Sequence, residues 1–136
     1  MSPPAQEASL QESFSIIPDP HERLQAIVSS CMGKGIPEAD RREEQLVPGC
    51  VSSVWLDGSV DGSGVLHLHW DAASPLVRGL AGLICRVYDG TAAKEAAGHE
   101  TRVLDSLGLT RQISPTRLNG LANLALRIRQ LAGHEA

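Results

Sequence analysis

The chain has 136 residues, sixteen acidic and twelve basic, a formal charge of −4, and only one Phe and one Tyr. That length suits one domain with its own core, and an acidic balance with few aromatic side chains argues against a nucleic-acid partner. Three widely spaced cysteines, with no basic start or secretory-length apolar run, argue against a disulfide framework, a signal peptide or a membrane span and point to the cytoplasm.

Residues 1–13 are polar and proline-bearing and read as a flexible tail, leaving 14–136 as the single domain; Leu10 and Phe14 to Ile17 are the residues there that could dock. Asp19 then caps a helix with Pro20 in its first turn, and Leu24, Ile27, Val28 and Cys31 form its apolar stripe before Gly33. Cys31 therefore reads as core. Residues 34–49 form a long connection whose charged group, Asp40 to Glu44, is a solvated face. Val51 to Leu56 and Val65 to Trp70 flank a turn-rich stretch and predict an antiparallel hairpin, with a third strand expected from 100–104 or from the segment before Cys50. In the second strand Leu66, Leu68 and Trp70 alternate with His67, His69 and Asp71, which places the histidines on the solvent side.

Ser74-Pro75 repeats the cap-plus-proline start and opens an apolar helix through Val87 that contains Cys85, again a core residue by pattern. Short helical turns follow at Thr91 to Ala97 and Val103 to Leu107. The last helix starts at Ser114-Pro115 and runs through Leu118, Leu121, Leu124, Ile128 and Leu131 to Gly133. Arg117 lies in its first turn, where the helix dipole disfavours a cation by up to about 1 kcal/mol. Either it reaches into water or to a neighbouring acid, or its charge has a use.

The residue that stands out chemically is Cys50, in Val47-Pro48-Gly49-Cys50-Val51-Ser52-Ser53-Val54-Trp55, where a loop enters a strand. Small and polar neighbours predict an exposed thiol. A cysteine does covalent work as a thiolate, and no base is adjacent, so activation has to come from tertiary neighbours such as His67, His69 or Arg117, or from a partner. A hydrolase built on Cys50, a strand histidine and Asp71 needs only geometry, but no oxyanion-hole motif accompanies it. Thiol exchange asks for less, a mobile sulfur that accepts and passes on a sulfur atom. Two histidines at i and i+2 could ligate a metal, yet no further ligands stand at recognisable spacing. A freestanding cysteine-dependent hydrolase or sulfurtransferase, and an iron–sulfur or zinc scaffold, are the alternatives to a carrier.

Three stretches together resemble the SufE family, sulfur acceptors for a cysteine desulfurase in iron–sulfur cluster assembly: Gly49-Cys50-Val51-Ser52-Ser53-Val54-Trp55, Asp71-Ala72-Ala73-Ser74-Pro75-Leu76-Val77-Arg78-Gly79-Leu80, and Ser114-Pro115-Thr116-Arg117-Leu118-Asn119-Gly120-Leu121. The resemblance implies an α+β fold of the SufE/NifU-like kind, with helices packed on one face of a small curved antiparallel sheet. It implies that Cys50 becomes the persulfide and that Arg117 faces the partner, with Gly49, Ser52, Trp55, Asp71 and Arg78 in partner binding or loop support. It further implies a desulfurase of the SufS or CsdA type that alone carries pyridoxal phosphate, so this chain holds no cofactor or metal, and a downstream iron–sulfur scaffold; a homodimer is left open. Val51, Ala72 and Ala73 depart from the family pattern, which commonly has glutamine, serine and a second acid there.

Overall fold

A computed structural model describes residues 1–135. A capping oxygen followed by proline opens each of its long helices. Ser2, Asp19, Ser74 and Ser114 accept from the N–H three residues on, at Ala5, Glu22, Val77 and Arg117, and Pro3, Pro20, Pro75 and Pro115 supply a helical φ where no N–H is needed. The helices are α1 (Pro3–Ser15), α2 (Pro20–Ser30), α3 (Pro75–Tyr88), the short α4 (Ala93–Gly98) and α5 (Val103–Ser106), and α6 (Pro115–Glu135).

Two strands, β1 (Val54–Val60) and β2 (Leu66–Ala72), pair antiparallel from Val54–Ala72 to Val60–Leu66. Asp61 shapes the turn between them, its Oδ1 accepting from the N–H groups of Ser63 and Val65. One face of the sheet carries Val54, Leu56, Leu66, Leu68 and Trp70, all buried, while Asp57, Ser59, His67 and His69 face solvent. α3 lies against β2 and α6 against β1, with α2 packed on α3. The fold is the expected α+β arrangement with helices on one face of an antiparallel sheet. No helix among the described residues is long and apolar enough to cross a membrane.

Three expectations need correction. Residues 3–15 are a packed helix, not a tail. Leu10 and Phe14 are buried, and the tie is polar: Gln6 Nε2 donates to the carbonyls of Arg86, Val87 and Asp89, which the end of α3 leaves unmet, and Glu7 accepts from the Thr101 hydroxyl and the Arg102 N–H beside His99. With only two apolar anchors, one turn apart, the stripe is too sparse to mark a helix by periodicity. Among the described residues there is no third strand. Residues 100–104 instead lead into α5 around the Glu7 carboxylate, and the segment before Cys50 contributes one bridge, Leu46 to Trp55, with the Val47 N–H on the Val54 carbonyl at 2.9 Å. Finally, α6 continues past Gly133, where it packs beside Ala97 of α4.

Candidate functional site

Gly49 sets the direction of the cysteine loop. Its φ of 79° lies in the left-handed region that favours glycine, and the reversal turns Cys50 toward α6. There Gly120 offers no side chain, and the Cys50 thiol donates to the Gly120 carbonyl at 3.6 Å. The expected exposed thiol is thus half-buried, and Val51 is the residue in the open, at 79% exposure. Burial pushes the Cys50 thiol above its ordinary value of 9.0, so at neutral pH it rests protonated.

Behind the sulfur lies a small pocket walled by Val54, Val77, Leu80, Leu121 and Leu124, with Cys50, Val51, Ser52, Thr116 and Arg117 at its rim. Its lining comes from the loop entering β1, the first turns of α3 and the first half of α6, distant in sequence and brought together because α3 and α6 pack on each other and on β1. Arg117 is exposed and has no ion-pair partner among the described residues, which leaves its charge available at the mouth of the pocket. Among the described residues no histidine or carboxylate lines the pocket, so the site has a cation and a sulfur but no general base.

The other sequence candidates lie outside that pocket. Asp71 is buried and accepts from the Ile36 N–H at 2.9 Å, the Ala72 N–H and Arg41 Nη2 at 3.0 Å. Burial works to raise its pKa, but these N–H donors together with Arg78 and Arg41 outweigh it and hold the carboxyl below 3.8. Arg78 donates to the carbonyls of Met32 and Gly33 just past α2, and Arg41 lies over the Trp55 ring at 4.6 Å. Asp71, Arg78 and Trp55 therefore brace the connection of residues 32–46 that delivers the chain to Cys50. His67 shares a 2.8 Å hydrogen bond with Asp61 in solvent, away from the thiol. The triad of Cys50, strand histidine and Asp71 is not assembled. Cys31 and Cys85 are fully buried, and the described residues contain no group of three or more side chains suited to a metal.

Two site residues escape a reading of the sequence alone. Asn123 Nδ2 donates to the Pro48 carbonyl at 2.9 Å and Arg127 Nη2 to the Glu44 carbonyl at 3.1 Å, both tying the cysteine loop to α6. The available signal is their spacing of four, which puts two long donors on one face of α6.

An uncharacterized SufE-like protein of Rhizobium etli is 30% identical over 128 residues, covering 89% of this chain and 85% of its own. A second, from Rhizobium meliloti, is 27% identical and covers 89% and 90%. The solution structure of a hypothetical protein from Thermus thermophilus superposes with a TM-score of 0.77 at 22% identity, covering 99% of this chain and 98% of that one, a likeness of fold. The profile of the SufE family, described as an Fe-S metabolism associated domain, matches residues 8–132, and with that share of its length the chain belongs to the SufE family.

Proposed function

We propose that this protein is a sulfur acceptor that takes persulfide sulfur from a cysteine desulfurase onto Cys50 and relays it to iron–sulfur cluster assembly. The observation that carries the reading is the composition of the pocket, a lone thiol and an unpaired arginine with no acid or base beside them among the described residues. A hydrolase needs a base to activate its nucleophile and an acid for its leaving group. Transpersulfidation needs only that the thiol lose its proton, which the departing donor thiolate can take up. The Cys50 thiolate attacks the outer sulfur of the donor persulfide, a new S–S bond forms, the old one breaks, and the donor leaves as a thiolate with no net oxidation or reduction. Arg117 is suited to hold the anionic sulfur that results, and the apolar wall to keep water and small thiols from it. Turnover belongs to the partner, which brings the pyridoxal cofactor; this chain raises its rate by unloading it.

The test is to incubate the protein with a desulfurase and free cysteine and measure its intact mass with and without reductant. A reducible gain of one sulfur that Cys50→Ser abolishes supports the reading. A gain that persists in Cys50→Ser refutes it.

A further inference from the structure

Residues 44–50 run across α6 and are held from one side of it. Asn123 reaches the Pro48 carbonyl, Arg127 the Glu44 carbonyl, and the Gly120 carbonyl receives the Cys50 thiol. Positions 120, 123 and 127 follow helical spacing, so the three contacts form one row along α6. Gly49 is fitted to the same row, because a Cβ there would collide with Asn123 Nδ2. Both side-chain contacts lie at the surface, where a hydrogen bond is readily exchanged for water.

We infer that Asn123 and Arg127 form a clasp that sets how often the Cys50 loop lifts from α6, making them positioning residues for the thiol. While the loop is clasped, the sulfur sits against a carbonyl oxygen in apolar surroundings, and no base in the pocket can take its proton. Once the loop lifts, the thiol meets water, can exchange its proton with solvent and spends a larger fraction of time as thiolate. The clasp thereby regulates the acceptor; its value to sulfur transfer rests on the function proposed above, but its geometry does not.

The test is alkylation of the isolated protein by iodoacetamide over a pH series, reading Cys50 by peptide mass and using buried Cys31 and Cys85 as reporters of unfolding. Asn123→Ala and Arg127→Ala should each speed Cys50 modification roughly fivefold, the effect of one hydrogen bond, while Cys31 and Cys85 stay unreactive. Arg127→Lys, which keeps a donor, should return the rate toward that of the unaltered protein. Ala122→Gly weakens α6 at an exposed position without touching the clasp and should leave Cys50 unchanged. Unchanged Cys50 rates in both alanine variants, or equal acceleration in Ala122→Gly, overturn the clasp. Should Asn123→Ala expose Cys31 and Cys85, Arg127→Ala decides by the same criterion. No desulfurase is present, so a fast Cys50 that never gains sulfur in the mass experiment would leave the clasp standing and remove the acceptor role.

Discussion

Replacing Gly120 by alanine tests how the sulfur is housed. Within a helix the substitution alone stabilises by about 1 kcal/mol. The new Cβ, however, would lie 3.0 Å from Cys50 Sγ and 3.3 Å from Cys50 Cα, inside ordinary contact distance for carbon. The loop must therefore back away, and backing away breaks the thiol contact and pulls on the Asn123 and Arg127 bonds. At roughly 0.5–1.5 kcal/mol for each hydrogen bond, full release loses about 1.5–4.5 kcal/mol against the helix gain. The expected net change is a loss of about 0.5–3.5 kcal/mol, with a more reactive thiol. Chemical denaturation reads the first quantity and iodoacetamide rates across pH the second. Burial is what raises the Cys50 pKa, so the midpoint of the rate profile should fall toward the ordinary thiol value of 9.0. An unchanged profile would refute the reasoning, and so would a stability loss above about 4 kcal/mol, which would mean that the core had been damaged.

Arg117→Ala should slow desulfurase-dependent loading of Cys50 by about tenfold, the scale of one charge-assisted contact, and shift the unfolding free energy by under about 0.5 kcal/mol because the side chain is exposed; an unchanged loading rate removes Arg117 from the site. Asp71→Ala leaves the Ile36 N–H and Arg41 unmet and should destabilise by about 2–4 kcal/mol in urea titration. Since the folded-state pKa of Asp71 is depressed, its contribution is present above 3.8 and lost as pH falls below it, so the gap between the unaltered protein and Asp71→Asn should narrow in acid. Tyr88 is the chain's one tyrosine, and burial pushes its phenol up to about 12; a raised pKa stabilises below about 10 and is lost as pH climbs toward 12, so phenolate absorbance appearing near 10 in the folded protein would contradict the packing. Glu7→Ala removes the acceptor for Thr101, Arg102 and His99 and should cost about 2–4 kcal/mol, read from the thermal midpoint.

The elements legible in the sequence are those with local signals. Three caps, each followed by proline, mark the starts of α2, α3 and α6, and strict alternation over Leu66 to Trp70 decides which face of β2 is buried, because both signals act within a few residues. Cys50 is legible as the reactive residue but not in its posture. Whether its sulfur points out or in depends on the empty space at Gly120, seventy residues away in the chain. The same holds for Asp71, whose partners at Ile36 and Arg41 belong to a connection with no periodicity. Helix α1 is hidden because its attachment is made by Gln6 and Glu7, polar residues that read as solvent-facing until their partners are known.

That attachment bears on the order in which the molecule is completed during synthesis. Gln6 finds its carbonyls 80 to 83 residues further along, and Glu7 finds Thr101 and Arg102 at 94 and 95. At ordinary translation speeds of roughly 5–20 residues per second, several seconds separate the emergence of α1 from that of its binding site. During that interval α1, too short to persist alone in water, has to stay unfolded or be sheltered. Its docking is then a late event that closes the body only after the cysteine loop and the hairpin have left the ribosome.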